Sequence, residues 1–279
     1  MTSILLPEFK KELGSYFLTY ANFFCIIRVI KKERRCCMKQ EIFAIGDVHG
    51  EISLFKEMLN NWNEDTQQLV LIGDLGDRGE NPKECFILGK ALVEEKGAIC
   101  LRGNHEVMLL DFLHQPEQNY PLYAMNGGVK TIETFLHPGA EDEYGAAEMA
   151  SMIKSYYPWL EVFLENCLLY YEWEDYVFVH GGVDLSKKDW KKTSDKDFVW
   201  IREGFYDQQN KTGKKIVFGH TITPMLYGDN ETTDLWIKND LIGIDGGAVY
   251  GGTLHGVHFN KEGIVKDYTI QNKKKRLLE

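Results

Sequence analysis

Carboxylate, amide and imidazole side chains recur along this chain inside five short glycine-bearing signatures. In chain order these are Gly46-Asp47-Val48-His49-Gly50, Gly73-Asp74-Leu75-Gly76-Asp77-Arg78-Gly79, Gly103-Asn104-His105-Glu106, His180-Gly181-Gly182 and Gly219-His220-Thr221. Each signature follows a short run rich in β-branched or aromatic residues, so we expect its polar side chains at the C-terminal end of a strand, where open α/β sheets place their sites. Such ligands suit borderline divalent metals, and two ions close together can activate water for attack on phosphorus.

The spacing of these side chains predicts two metal ions. Asp47 and His49 lie two residues apart on an extended turn, so both can point toward one ion. Asp74 follows the next strand, and the two oxygens of its carboxylate could bridge two cations. The second ion would be completed by Asn104, His180 and His220. A single Asp or His is more often a helix cap or a satisfied core residue, but a full set at successive strand ends favours a metal site.

His105 directly follows Asn104 and is predicted to face the same cavity without binding metal. An imidazole beside a leaving-group oxygen can act as a general acid. Asp77 could orient it, as a carboxylate orients the catalytic histidine in other hydrolases. The alternative for His105 is a structural or surface histidine.

Three arginines are candidates for holding a substrate phosphate, because a guanidinium matches phosphate oxygens in pairs. Arg78 lies inside the second signature and Arg102 directly before the third. Arg202 is a third candidate, although it could instead pair with Glu203 or another surface acid.

The composition limits the class of protein. The chain has 279 residues, 44% of them hydrophobic, and a formal net charge of −10. Such an acidic balance argues against nucleic acid or an anionic membrane as the main partner. None of the six cysteines forms a Cys-x-x-Cys pair, which favours a reducing, cytoplasmic compartment over a disulfide framework.

Hydrophobic periodicity predicts a β-α-β-α-β order before residue 107 and a return to strands after residue 168. The predicted strands are 41–45, 68–72, 98–102, 176–179, 215–218, 241–244, 256–259 and 264–268. Residues 107–168 show helical spacing with breaks at prolines, which predicts a helical insertion. We therefore expect one catalytic domain over residues 38–272, an N-terminal extension over 1–37 and a basic tail over 273–279.

The N-terminal extension contains an apolar, aromatic run over residues 16–30, followed by a basic cluster. The run is shorter than the roughly 20 residues that a membrane span needs, and no small-residue cleavage site follows it. Three interpretations stay open. They are an untranslated leader with the true start at Met38, a peripheral anchor at a membrane surface, and a helix packed on the domain.

As an ordered set, the signatures resemble those of the metal-dependent serine/threonine phosphoprotein phosphatases of the calcineurin-like metallophosphoesterase superfamily, with bacterial and phage members closest. The resemblance runs from about residue 42 to about residue 268. It implies a four-layer α/β sandwich of two sheets flanked by helices, and two divalent ions, with manganese expected and iron or zinc as alternatives. It implies the ligand set above, His105 as the acid with Asp77 as its partner, Arg78 and Arg102 near the phosphate, and Tyr250 near the site.

Position 222 narrows the hypothesis further. Broader metallophosphoesterases usually carry Gly-His-x-His, whose second histidine joins the first metal, whereas this chain has Ile222 there. Isoleucine cannot bind a metal, which favours the phosphoprotein phosphatase branch and predicts hydrolysis of phosphoserine or phosphothreonine in proteins. The alternatives are a symmetrical dinucleoside polyphosphate hydrolase acting on diadenosine tetraphosphate, a non-catalytic phosphopeptide-binding module, and a membrane-anchored regulator.

Overall fold

A computed structural model describes residues 39–273 of the chain. The strands in chain order are β1 (Glu41–Ile45), β2 (Gln67–Leu71), β3 (Ile99–Cys100), β4 (Tyr170–Trp173), β5 (Tyr176–Val179), β6 (Lys215–Phe218), β7 (Trp236–Lys238), β8 (Leu241–Gly243), β9 (Asp245–Gly246), β10 (Thr253–Phe259) and β11 (Ile264–Gln271). The helices are α1 (Ile52–Leu59), α2 (Pro82–Lys96), α3 (Asn104–His114), α4 (Pro116–Tyr123), α5 (Val129–Phe135), α6 (Ala140–Glu143), α7 (Ala146–Tyr156), α8 (Trp159–Asn166), α9 (Asp195–Trp200) and α10 (Thr223–Tyr227). Residues 1–37, and with them the three interpretations of the N-terminal extension, lie outside the described residues.

The first sheet has the strand order β11-β10-β1-β2-β3, with β9 paired to β10. β1 and β2 are parallel, and Ile45 at the end of β1 lies opposite Leu71 at the end of β2. β3 continues the parallel arrangement, whereas β10 and β11 are antiparallel to their neighbours. The segments that follow β1, β2 and β3 therefore leave the same edge of the sheet.

The second sheet has the strand order β4-β5-β6-β8-β7. Its central strands β5, β6 and β8 are parallel, and Val179 at the end of β5 lies opposite Phe218 at the end of β6. The signatures that begin at His180 and Gly219 therefore also leave one edge side by side.

Side-chain alternation along β1 shows how the layers stack. Ile42 and Ala44 face the second sheet and join a core built from both sheets. Phe43 and Ile45 point the opposite way and join the core beneath the helices of the first sheet. The outer face of the second sheet packs on α9 through Phe198. The order is helices, sheet, sheet, helix, which confirms the predicted four-layer sandwich.

The predicted strands are confirmed in position, with shifts at their ends. β3 is shorter than the predicted 98–102, because Leu101 forms a single bridge with Leu168 beyond the strand. The half-buried β4, the short β7 and the two-residue β9 were not predicted. β4 and β7 are edge strands, paired on one side only, so their sequences carry a weaker alternation signal.

Residues 104–166 form six successive helices, as the helical insertion predicted. The expected break at Pro121 is wrong, because this residue lies inside α4. The carbonyl that loses its hydrogen bond there belongs to Glu117, which is exposed to water. From Gln40 onward the described residues form one compact unit. Within residues 39–273, no helix combines the length and the apolar character needed to cross a bilayer.

Candidate metal centre

The carboxyl ends of the parallel strands from both sheets meet at one buried site. Asp47 follows β1 and Asp74 follows β2, while His180 and His220 follow β5 and β6. The predicted ligands are all at most 6% exposed, namely Asp47, His49, Asp74, Asn104, His180 and His220. The fold therefore brings together side chains that lie up to 173 positions apart in the sequence, as in the hydrogen bond from the His220 amide to Asp47 Oδ2.

His180 faces oxygens on both sides of its ring. Its Nδ1 donates to the Ile72 carbonyl at 3.1 Å, and its Nε2 lies 3.0 Å from Asn104 Oδ1 and 3.4 Å from Asp74 Oδ2. Burial by itself would lower the pKa of His180, but the carboxylates of Asp74 and Asp47 outweigh it and raise the pKa to about 9. This group of acceptors needs a cation between them, either a proton or a metal ion.

His49 lies on the other side of Asp74. Its Nδ1 donates to the Gly76 carbonyl at 2.9 Å, which leaves the lone pair on Nε2. That Nε2 lies 3.4 Å from Asp74 Oδ2 and 2.6 Å from an Arg78 Nη1. Burial, followed by the Arg78 charge, lowers the pKa of His49 well below its ordinary value. The lowered pKa favours a neutral His49 imidazole whose unprotonated Nε2 faces the site and accepts a hydrogen bond from Arg78.

Unpaired buried atoms test whether the site fits metal ions. Among the described residues, Asp47 Oδ1, His105 Nε2 and His220 Nε2 are buried without a hydrogen-bond partner. Leaving such atoms unpaired is costly in the absence of a ligand. Atoms able to bind a metal lie within 4.8 Å of one another in two groups, namely Asp74, His180 and His220, and His49 and Asp74 together with the predicted acid His105. The two groups share Asp74, so the donor set fits a pair of divalent ions.

Asp245 lies at this site as well, although its sequence position predicted no role for it. It is 4% exposed, and its Oδ1 accepts a hydrogen bond from the Gly247 amide at 3.0 Å. Burial and then the nearby Asp245 charge raise the pKa of Asp47, and burial also raises the pKa of Asp245. Two crowded buried carboxylates increase the demand for positive charge at the site.

The predicted catalytic pair is in contact. His105 Nδ1 lies 2.6 Å from Asp77 Oδ2, and both side chains are 1% exposed. His105 Nε2 points toward the ligands and lies 3.9 Å from Asp74 Oδ2. The Asp77 carboxylate fixes the proton on Nδ1, so Nε2 is the nitrogen that can exchange a proton with a ligand in the site.

Glu106 has a structural role that the sequence did not predict. It is fully buried, and its carboxylate accepts hydrogen bonds from the backbone amides of Asp74, Leu75 and Gly103 at 2.8–2.9 Å. These three bonds tie the second signature to the third. The Glu106 carboxylate thereby fixes the distance between the Asp74 and Asn104 backbones.

The four predicted phosphate-binding residues differ in their surroundings. Arg202 donates to the His220 carbonyl at 2.8 Å and to Thr221 Oγ1 at 2.9 Å, close to the metal ligands. Arg78 contacts His49 and lies 5.6 Å from the ring centre of Tyr250. The Arg102 guanidinium instead donates to the Glu165 carbonyl of α8 at 2.6 Å. Arg78, Arg202 and Tyr250 therefore lie around the site, whereas Arg102 bonds to the helical insertion.

The backbone at the ligands is strained. Left-handed φ values occur at His49 (43°), Asp74 (51°), Asp77 (66°), Arg78 (63°) and His220 (62°). Non-glycine residues rarely adopt this region, and such strain is concentrated at functional sites. At Gly219 the backbone approaches Asp47 Oδ1 so closely that a Cβ atom would overlap it. The signature glycine there is required for space.

Comparison with known proteins identifies the family of this chain. Residues 41–255 match the family model described as calcineurin-like phosphoesterase. Serine/threonine-protein phosphatase 1 of Salmonella typhimurium is 30% identical over 224 residues, covering 77% of this chain and 90% of that protein. An asymmetrical bis(5'-nucleosyl)-tetraphosphatase of Oceanobacillus iheyensis is 26% identical over 246 residues, covering 81% of this chain and 91% of that protein.

Solved structures agree on the fold. A candidate diadenosine tetraphosphatase superposes with a TM-score of 0.58 at 16% identity, covering 84% of this chain and 94% of that one. A serine/threonine phosphatase from Saccharomyces cerevisiae superposes with a TM-score of 0.52 at 15% identity, covering 84% and 80%. Because the family model spans most of the described residues, the chain belongs to the calcineurin-like phosphoesterase family, whose fold binds two divalent metal ions.

Proposed function

We propose that this protein is a phosphatase with two metal ions that removes phosphate from phosphoserine or phosphothreonine in proteins. The observation that carries the proposal is the convergence of Asp74 Oδ2, Asn104 Oδ1 and His180 Nε2 beside the His105–Asp77 pair. Acceptor atoms that converge in this way call for a cation between them, either a proton or a metal ion, and a histidine held by a carboxylate can supply a proton. A binding module would need no general acid, so this pair favours catalysis.

We assign one ion to Asp47, His49 and Asp74, and the other to Asp74, Asn104, His180 and His220. Bound there, the two ions would supply an activated water and neutralise charge on the phosphate. Manganese is the proposed metal, as the family resemblance implies, with iron or zinc as alternatives. The mixed carboxylate, amide and imidazole ligands suit borderline divalent ions in general.

The protein side chains would do the remaining work. Arg78 and Arg202 would hold the non-reacting phosphate oxygens, with Tyr250 and Arg102 at the edge of the substrate. The doubly protonated His105 ring would donate its Nε2 proton to the leaving serine or threonine oxygen, and the Asp77 carboxylate would stabilise the charge of that ring and hold its orientation. The proposed catalytic domain covers residues 38–272, and the proposed location is the cytoplasm.

Hydrolysis of dinucleoside polyphosphates is the second candidate. It is favoured by the likeness to bis(5'-nucleosyl)-tetraphosphatases, both asymmetrical and symmetrical. The phosphoprotein substrate is supported by the Salmonella relative, which is 30% identical over 224 residues, against 26% over 246 residues for the asymmetrical tetraphosphatase. The symmetrical tetraphosphatase is 42% identical, but over 73 residues only.

One assay separates these candidates. Purified protein loaded with manganese is incubated in parallel with a phosphoserine peptide and with diadenosine tetraphosphate, and Asp74→Asn serves as the inactive control. We expect faster release of inorganic phosphate from the peptide. Two molecules of ADP from the dinucleotide would instead identify symmetrical cleavage, and ATP with AMP would identify asymmetrical cleavage. Binding of the peptide without turnover would leave only the binding module.

A further inference from the structure

The helical insertion reaches into the catalytic pair through two hydroxyl groups. Tyr123 at the end of α4 and Thr131 in α5 are both fully buried. The Tyr123 hydroxyl donates to Asp77 Oδ1 at 2.8 Å, and the Thr131 hydroxyl donates to the same oxygen. The other Asp77 oxygen, Oδ2, contacts His105 Nδ1. Each carboxylate oxygen therefore has its own set of partners.

We propose that Tyr123 and Thr131 are positioning residues that fix the Asp77 carboxylate, and through it the ring of His105, for proton donation to the leaving group. This inference rests on the general-acid role given to His105 in the proposed function. It gives the insertion a part in the reaction, because both hydroxyls belong to that segment and neither lies in a signature.

Thr131 holds the backbone of Asp77 as well as its side chain. The Asp77 amide donates to Thr131 Oγ1 at 3.0 Å, so the hydroxyl accepts from the backbone and donates to the carboxylate of the same residue. Asp77 has a left-handed φ of 66°, a conformation that needs support from its surroundings. Removing the Thr131 hydroxyl would release both the carboxylate and the strained backbone.

Tyr123 links Asp77 to the helix that begins at the metal ligands. Its ring stacks on Phe112 of α3 at 5.5 Å between centroids, and α3 carries His105 in its first turn. A Cβ atom at Gly128 would overlap the Tyr123 ring, so the glycine leaves room for it. Burial and then Asp77 raise the pKa of Tyr123, which keeps the phenol protonated as a donor. Through Tyr123, the insertion thus connects the Asp77 carboxylate to α3.

Leaving-group dependence tests the proposal. Phenyl phosphate needs protonation of its leaving oxygen, whereas p-nitrophenyl phosphate needs little. We expect Thr131→Val to lower kcat on phenyl phosphate about tenfold, the scale of one lost hydrogen bond to a charged group. The loss on p-nitrophenyl phosphate should stay below about twofold, with KM and two bound metals per chain unchanged. Tyr123→Phe should show the same pattern, and Thr131→Ser, which keeps the hydroxyl, should match wild type.

A double variant that also carries His105→Asn separates an effect on the position of His105 from a general loss of structure. In the His105→Asn protein, Thr131→Val should lower kcat on phenyl phosphate no further. Equal losses on the two aryl esters, or a further tenfold loss without His105, would overturn the inference and make Thr131 a structural residue. A phosphoserine peptide is assayed beside them. Failure of wild type on that peptide alone would count against the phosphoprotein substrate, while the aryl esters still decide the role of Thr131.

Discussion

The two sides of the candidate metal centre hold their histidines in opposite electrostatic settings. His49 and His180 both lie 3.4 Å from the same Asp74 oxygen, and both are buried. Yet the pKa of His49 is lowered, by burial and the Arg78 charge, whereas the Asp74 and Asp47 carboxylates raise the pKa of His180 to about 9. Because the two rings are similarly buried, the neighbouring charges decide the difference between their pKa values.

This difference bears on how each side would accept a metal ion. A histidine binds metal only as the neutral imidazole. If the candidate ligands bind as proposed, an incoming ion would have to displace a proton on the His180 side and the Arg78 guanidinium from Nε2 on the His49 side. Asp74 contacts the histidines of both sides. A substitution of Asp74 should therefore affect both proposed ions, whereas a substitution of a residue on one side should affect one.

Asp74→Asn should have the largest effect. Its carboxylate lies between both histidines. The amide of asparagine carries no charge and has one acceptor oxygen in place of two, so we expect nearly complete loss of activity and weaker binding of both ions. Metal analysis together with turnover checks this. Two retained ions with turnover near wild type would refute a bridging Asp74.

His105→Asn should leave both sides intact and slow the reaction. We expect two bound ions and a loss of about a hundredfold or more on poor leaving groups, the usual scale for a general acid. Aryl phosphates with good leaving groups should lose less. Equal losses on alkyl and aryl esters would contradict the acid role.

Arg78→Ala should affect the His49 side, and Arg102→Ala serves as its comparison. Arg78 contacts His49, whereas Arg102 donates to the Glu165 carbonyl. We expect Arg78→Ala to raise KM for a phosphate ester about tenfold, the worth of one charge-assisted contact, and Arg102→Ala to raise it less. An equal or larger change in KM for Arg102→Ala would support the sequence-based assignment of Arg102 to the phosphate.

The pH dependence of stability should reveal the raised pKa of His180. In metal-free protein the pKa of His180 is about 9, above the ordinary 6.5, so its protonated form stabilises the fold. That stabilisation is complete below about pH 6.5 and is lost as the pH rises through about 9. Melting temperature should fall by about 10 °C across this window, because a pKa raised from 6.5 to about 9 is worth about 3 kcal/mol and about 1 kcal/mol shifts a domain of this size by roughly 2–4 °C. His180→Gln should flatten the dependence, and a flat curve in wild type would argue against the raised pKa.

Starting the chain at Met38 should have the smallest effect. β1 begins at Glu41, and every candidate ligand follows it. We expect unchanged turnover and an unchanged melting temperature when the shortened and full chains are compared. A drop of several degrees, or a large loss of turnover, would make residues 1–37 part of the folded domain.

The strands and the six candidate ligands could be predicted because each depends on local sequence. β1 alternates between two cores with a period of two, and the signature residues Asp47 and Asp74 follow directly where β1 and β2 end. Glycines mark the tight turns between strand and ligand, as at Gly219, where only glycine fits beside Asp47. A pattern within a few residues was enough to predict these features.

The tertiary structure alone decided what surrounds those ligands. Tyr123 and Thr131 reach the site from segments whose local sequence carries no ligand pattern. Asp245 reaches it from a glycine-rich run over residues 244–252 that resembles the family's final loop but predicted only Tyr250 near the site. The raised pKa of His180 depends on carboxylates brought in from another sheet. The physical reason is that a strand end fixes where a side chain begins, whereas charge, burial and hydrogen bonding depend on which distant segments pack against it.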